Sequence, residues 1–231
     1  MHSISNHIIE LRQRIRRAEQ RAQRQSDAVR LVAVSKAHAA DAIACAAQSG
    51  IADFGENYVN EALPKIAALS QLNLTWHFIG AIQSNKTADI ARHFQWVQTV
   101  DRIKVAQRLS AQRPQGADPL DVLIQVNIDD EPQKAGIAPE GLAEFAAQLL
   151  ALPRLRLRGL MAIPRPTAEP ALQSPAFRRM RELFVSGKPA GAATWDTLSM
   201  GMTGDFEVAI AEGTTMIRIG TAIFGPREQH E

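Results

Sequence analysis

Apolar positions recur along the chain in two rhythms. In residues 4–24, Ile4, Ile8, Leu11, Ile15, Ala18 and Ala22 return at steps of four and three, the spacing of one helix face. The opposite face carries Arg12, Arg14, Arg16, Arg17, Arg21 and Arg24, which reads as a solvated surface. Short β-branched or aromatic runs then predict strands at 30–35, 52–55, 75–79, 96–100, 120–127, 155–161, 197–200 and 216–220. Between them the pattern predicts helices at 39–49, 57–69, 85–93, 102–112, 139–150, 174–186 and 205–212. Gly50 and Gly213 follow the first and last of these as left-handed stops.

Strands and helices thus alternate one for one, and helix 4–24 makes up the eighth helix. Apolar strands in such an alternation run parallel under a cover of helices. Eight units favour a single (β/α)8 TIM barrel with an extra N-terminal helix over an open doubly wound sheet. The runs 52–55 and 197–200 are short, and loss of either would reopen the doubly wound alternative. No proline- or serine-rich linker divides the chain, so residues 1–231 are expected to form one domain. The proline-rich stretch from Pro164 to Pro175 reads as a stiff rim segment after the sixth strand.

Composition narrows the function classes. The chain is 45% hydrophobic and 22% charged, with a formal net charge of +2. That near balance argues against a nucleic-acid partner. The single cysteine, Cys45, excludes an internal disulfide and suits a reducing cytoplasm. The N-terminus runs into charged helix rather than an apolar leader. No apolar run approaches the roughly 20 residues that span a bilayer, so no membrane partner is expected. The Asn-x-Thr triplets at Asn73 and Asn85 are accordingly not read as glycosylation sites. No metal site is expected, because His2, His7, His38, His77, His93 and His230 form no HExxH pair.

In a barrel of this kind the working groups sit on loops at the carboxyl ends of the strands. The first strand ends in Ser35-Lys36. A lysine at a strand end usually snorkels to water. One that follows a strand buried on both faces is partly desolvated and turns nucleophilic toward a carbonyl. The seventh strand ends in Ser199-Met200-Gly201-Met202-Thr203, and the eighth carries Arg218 and ends in Gly220-Thr221. Barrels commonly hold phosphate with these two loops. Their glycines let backbone approach an anion, and a helix starting near Asp205 turns N–H groups toward it. Arg218, flanked by Ile217 and Ile219, cannot give up its proton at ordinary pH. Beside a pyridine nitrogen it would act as a donor and weaken the ring as an electron sink. An amine and a phosphate cradle in one pocket are what pyridoxal 5'-phosphate needs. Glu56 reads either as an anchor of the second-strand turn or as a contact for a substrate amine. Cys45, with alanine neighbours, reads as core rather than nucleophile.

Six motifs occur together and in order. They are Lys36, Gly55-Glu56-Asn57-Tyr58-Val59, His77-Phe78-Ile79-Gly80 with Gln83-Ser84-Asn85-Lys86-Thr87, Gly159-Leu160-Met161-Ala162-Ile163-Pro164, Leu198-Ser199-Met200-Gly201-Met202, and Arg218-Ile219-Gly220-Thr221-Ala222-Ile223-Phe224-Gly225. The set resembles the pyridoxal phosphate homeostasis protein family over nearly the whole chain. The resemblance implies a barrel similar to the N-terminal domain of alanine racemases, without their second domain. It implies that Lys36 carries the cofactor as a Schiff base. Ser199, Gly220 and Thr221 would hold the phosphate, Arg218 would face the pyridine nitrogen, Asn57 and His77 would line the ring, and Met200 would be a further cofactor-binding residue. Many relatives carry a second lysine followed by proline where this chain has His38-Ala39. Ala81 and Gly204 stand where relatives have a proline and an acidic residue. Lys134 resembles a secondary cofactor contact of relatives; its plainer reading is an exposed loop lysine.

The same resemblance implies a cytoplasmic protein that holds pyridoxal 5'-phosphate for intracellular homeostasis, with cofactor-requiring apo-enzymes as recipients and no established turnover reaction. The alternative is a weak pyridoxal phosphate-dependent amino-acid racemase of the alanine racemase type. In that class a second acid/base tyrosine comes from another domain of a partner subunit. Here the one tyrosine is Tyr58, early in the chain, and loss of a positioned acid/base group forfeits about 10²–10⁴-fold in rate. The arginine-rich helix face offers no dimer seam, so a monomer is expected.

Overall fold

The computed structural model describes residues 2–131, 133–165 and 169–226. After helix α1 (His2–Arg21) the strands and helices alternate: β1 (Arg30–Val34), α2 (Ala40–Gln48), β2 (Asp53–Glu56), α3 (Val59–Ala68), β3 (Thr75–Phe78), α4 (Thr87–His93), β4 (Trp96–Val100) and α5 (Ile103–Gln112). They continue with β5 (Leu120–Gln125), α6 (Leu142–Leu150), β6 (Leu155–Met161), α7 (Pro170–Ser186), β7 (Thr197–Ser199), α8 (Phe206–Ala211), β8 (Met216–Ile219) and α9 (Thr221–Phe224). All strands are parallel and pair in chain order, and β8 returns to β1 to close the barrel. The two short runs that carried the choice of fold are both strands, β2 and β7, so the (β/α)8 barrel expected from the alternation is the fold.

Side-chain direction alternates along each strand, and this sorts the core into two layers. Outward residues such as Ala33, Phe54, Phe78, Val97 and Ile217 join the large apolar layer beneath the helices. Inward residues Val32, Trp96, Leu123, Met161 and Met216 form a second cluster inside the barrel. Burial of each large apolar side chain contributes about 1.5–3 kcal/mol. Polar residues share that interior, among them His77, Gln98, Ser199 and Arg218; they are the ones that bear on function.

Helix α1 lies against α2, α8 and α9 and completes the outer ring. Its Ile8, Leu11, Ile15 and Ala18 are buried. The basic face is more than a solvated surface. Arg12 donates to the Gly50 carbonyl (2.6 Å), Arg14 pairs with Glu207 (3.1 Å), and Arg24 donates to the carbonyls of Ile210 and Thr214 (3.1 and 2.7 Å). Buried Glu19 accepts the backbone N–H groups of Asp27 and Val29 and turns the chain into β1.

Element ends differ from expectation where local chemistry outweighs periodicity. Helix α7 starts at Pro170 rather than 174, because a proline in the first turn forfeits no helical hydrogen bond. The rim segment expected over 164–175 is therefore partly helix, and its residues 166–168 lie outside the described residues. Residues 84–86 and 139–141 form 3-10 turns ahead of α4 and α6. Helix α9, four residues long, is too short to show a period. Among the described residues no helix is long and apolar enough to cross a membrane.

Candidate functional site

Lys36 follows the carboxyl end of β1 and is half-buried. The residue before it is clamped. The Ser35 N–H donates to the Gly55 carbonyl (3.0 Å), and its hydroxyl donates to Glu56 Oε1 (2.7 Å). The Ser35 carbonyl accepts from the His38 N–H (3.1 Å) and from Lys65 Nζ (3.0 Å). Lys65 Nζ also reaches Glu56 Oε1 (2.8 Å). Ala37 takes a left-handed φ of 64°, so the chain turns sharply just after Lys36. Glu56 is fully buried, and its Oε2 has no hydrogen-bond partner among the described residues. Burial pushes its carboxyl above the ordinary carboxylate range, opposed by the hydrogen bonds from Lys65 and Ser35. Of the two readings of Glu56, the structure supports the anchor.

Strand register brings the other end of the chain to the same mouth. Ala33 aligns with Ile219 of β8, and Val34 with Gly55 of β2. Gly220 lies against Val34: a Cβ there would sit 3.4 Å from the Val34 carbonyl oxygen. Thr221, exposed, opens α9. Arg218 is buried inside the barrel, where Nη1 donates to Ser199 Oγ (2.6 Å) and Nη2 to the Ala162 carbonyl (3.0 Å). Burial lowers its pKa to about 10, opposed by the attraction of Asp205, so the guanidinium stays charged near neutrality. Asp205 accepts the Met202 N–H (2.5 Å) and shapes the loop after β7. Gly201 in that loop has φ 97°, and a Cβ there would meet the Ala209 methyl at 2.7 Å; only glycine fits.

Asn57 follows β2 and is half-buried, with a buried Oδ1 that has no hydrogen-bond partner among the described residues. Together with Tyr58, Gly80, Gln83 and Lys86 it lines a cavity of about 470 Å³ beside the mouth. Lys36, Asn57, Ser199, Arg218, Gly220 and Thr221 thus all lie at or just beneath the carboxyl ends of β1, β2, β7 and β8. Two expected residues stand elsewhere. Met200 is fully buried in the outer apolar layer. Its N–H goes to the Met216 carbonyl and its carbonyl accepts the Thr214 hydroxyl, because the residue after an inward Ser199 must point outward. His77 is fully buried in the barrel interior, where Nε2 bonds Asp53 (2.8 Å), Nδ1 bonds Gln98 (3.1 Å), and the ring stacks on Trp96. Both ring nitrogens are engaged, which places His77 beneath the mouth in the barrel interior.

Three contributors escaped sequence reading: Lys65, Gln98 and Asp53. Gln98 and Asp53 left a signal, as polar residues at inward positions of apolar strands. Lys65 left none beyond its place on the helix after β2. Lys134 pairs with Glu131 (2.5 Å) and is half-buried, not the exposed loop lysine of its plainer reading. Cys45 is half-buried on α2. Among the described residues no cluster of His, Cys, Asp or Glu could hold a metal.

A closed parallel barrel with a lysine at the end of β1 and a buried arginine on β8 defines a class that sequence comparison makes explicit. The family model described as "Alanine racemase, N-terminal domain" matches residues 7–228. The pyridoxal phosphate homeostasis protein of Pseudomonas aeruginosa is 55% identical over 228 residues, which cover 99% of this chain and 97% of that protein. The chain belongs to the alanine racemase N-terminal domain family and, within it, to the pyridoxal phosphate homeostasis proteins. Solved structures of PipY from Synechococcus elongatus PCC7942, without PLP and with PLP bound, superpose with TM-scores of 0.84 and 0.82. Each is 36% identical and covers 96% of this chain and 100% of its own. An alanine racemase from Corynebacterium glutamicum matches with a TM-score of 0.69 at 18% identity, and this chain covers 61% of it; that likeness is one of fold alone.

Proposed function

We propose that the protein binds pyridoxal 5'-phosphate at the barrel mouth and serves intracellular homeostasis of that cofactor, rather than turning over an amino acid. The observation that carries the reading is the pairing of β1 with β8, which sets the half-buried Lys36 at the same barrel end as the buried Arg218–Ser199 pair. The site fits the group. A guanidinium has five N–H donors, and two of those on Arg218 are used among the described residues, leaving donors for a ring nitrogen. The buried amide oxygen of Asn57 lacks a partner among the described residues. A relative at 36% identity has been solved with PLP bound.

When bound, the cofactor supplies an aldehyde carbon that is electrophilic toward an amine. Lys36 would provide that amine, and the clamp on Ser35 fixes the backbone from which it projects. Arg218 would donate to the ring nitrogen and keep its own proton, so the site would hold the ring without drawing electrons into it. Gly220 and Thr221 would bear the phosphate, while Ser199 lies beneath them with its hydroxyl engaged by Gln98 and Arg218. Exposed large apolar side chains such as Ile9, Leu72, Leu150 and Val185 are spread over separate elements, which supports a monomer. A cytoplasmic location and apo-enzyme recipients complete the proposal. The racemase alternative has the weaker support: its structural relatives share the fold at 18% identity or below, and Tyr58 is 61% exposed in a loop.

The test is spectroscopic. Protein purified with the cofactor is expected to absorb in the visible, and Lys36→Ala to lose that band. A panel of single amino-acid enantiomers separates the two readings, since sustained turnover of either enantiomer would establish the racemase.

A further inference from the structure

A continuous line of hydrogen bonds crosses the barrel from its amino end to its mouth. Arg30 Nη2 pairs with Asp53 Oδ1 at 2.8 Å, and the same oxygen meets His77 Nε2 at 2.8 Å. His77 Nδ1 lies 3.1 Å from Gln98 Nε2, and Gln98 Oε1 lies 2.7 Å from Ser199 Oγ. Ser199 Oγ in turn receives Arg218 Nη1 at 2.6 Å. Each inner member is buried, so an unmade bond in the line costs the full desolvation of its group, about 1–3 kcal/mol.

The two ends dictate the direction of every proton between them. Arg218 can only donate, so the Ser199 oxygen accepts and the Ser199 hydroxyl points to Gln98 Oε1. The Gln98 amide must then turn Nε2 toward His77 Nδ1, which therefore carries no proton. The single proton of His77 sits on Nε2 and goes to Asp53, an acceptor that Arg30 also binds. A second proton on Nδ1 would face the Gln98 N–H group. The amide would have to rotate, Ser199 would receive two donors, and its hydroxyl hydrogen would have to leave the line.

We propose that His77 is a positioning residue that acts through Gln98, its neutral Nε2–H form holding the Ser199 hydroxyl away from the mouth and Arg218 square to it. The proposal rests on the reading that Arg218 faces the cofactor's ring nitrogen. The groups facing His77 are Asp53 from β2 with Arg30 from β1 behind it, Trp96 and Gln98 from β4, and Asp121 from β5. Asp121 is itself held by Arg156 and Arg158 of β6. The two aspartates favour a charged imidazole and Arg30 opposes it. Burial outweighs them and keeps the ring neutral.

The test uses Gln98→Glu and Gln98→Met in the full chain. A carboxylate at position 98 accepts from both Ser199 and His77, and an adjacent opposite charge typically moves a pKa by about 1–3 units. Nitrogen-15 spectra of the ligand-free protein are expected to show the Nε2–H tautomer of His77 at pH 7. In Gln98→Glu they are expected to show a doubly protonated ring and a shifted Arg218 side-chain resonance. With pyridoxal 5'-phosphate added, the visible band of Gln98→Glu is expected to move, and that of Gln98→Met to lose any response at the pH where His77 titrates. An Nδ1–H tautomer in the native protein overturns the inference. So does an unmoved band and Arg218 resonance in Gln98→Glu when His77 is charged. If the native protein forms no visible band, the cofactor reading fails instead, and the ligand-free spectra of His77 and Arg218 still decide the relay.

Discussion

His38 stacks on Phe224 with ring centroids 4.7 Å apart and planes inclined by 26°. The contact ties the loop that carries Lys36 to α9, the helix opened by Thr221. It closes the seam between first and last strands at the site end. On the outside His7 Nδ1 meets the Ile223 carbonyl at 3.0 Å. His38 is therefore half of an aromatic clamp in this chain. An aromatic pair contributes about 0.5–1.5 kcal/mol beyond its buried area. His38→Ala is expected to lower the melting temperature by about 2–4 °C and to speed cofactor release, read by thermal unfolding and by transfer of the cofactor to a trapping amine.

The Ser35–Glu56–Lys65 clamp predicts an asymmetric response. Lys65→Met leaves a buried carboxylate without its cation, a change that typically costs about 3–5 kcal/mol. Glu56→Gln with Lys65→Met together is expected to recover part of the loss, because no buried charge remains. Urea unfolding of the native protein and the two variants checks the order. Linkage adds a sign. The raised pKa of Glu56 means that the folded state holds its proton more tightly than the unfolded chain does. Its contribution to stability is full below the ordinary glutamate pKa and is lost as pH rises through the raised value. Glu56→Gln is expected to remove that decline.

His77 titrates with the opposite consequence. Burial lowers its pKa against the pull of Asp53, so between about 6.5 and the lowered value the unfolded chain binds the proton and the folded protein does not. The contribution is present above pH 6.5 and is lost as pH falls through the folded value. His77→Gln is expected to flatten the stability profile in that window, measured by urea unfolding at pH 7.5 and 5.5.

Gly80 and Gly204 form a matched pair. A Cβ on Gly80 would lie 2.0 Å from the Asn57 carbonyl oxygen, and backbone cannot yield as a side chain does. Gly80→Ala is expected to cost at least about 3 kcal/mol, the upper end for overpacking, and to disturb the Asn57 loop. A methyl group on Gly204 would meet nothing within 4 Å among the described residues. Gly204→Ala is expected to be neutral or stabilising by up to about 1 kcal/mol through the unfolded chain. Denaturation midpoints of both variants decide the contrast.

The barrel was legible because its strands are apolar runs separated by amphipathic helices, and that alternation admits few closed topologies. Lys36 and Arg218 could be picked out because each is a lone cation at or beside the end of an apolar strand. The line through His77 was not legible as such. His77 reads like any other residue of a conspicuous motif, and only the inward register of β2, β3, β4 and β7 shows that Asp53, His77, Gln98 and Ser199 meet. The outward direction of Met200 was hidden for the complementary reason: motif membership says nothing of pleat direction. Lys65 approaches Ser35 from α3, across a sequence gap of 30 residues, and its role exists only once the helix has docked.

The most direct test of the central claim is reductive trapping. Protein mixed with one equivalent of pyridoxal 5'-phosphate, reduced with borohydride and digested, is expected to yield one pyridoxyl-modified peptide with the adduct on Lys36, and none from Lys36→Ala. An adduct shared among surface lysines, or one that persists in Lys36→Ala, would contradict the account.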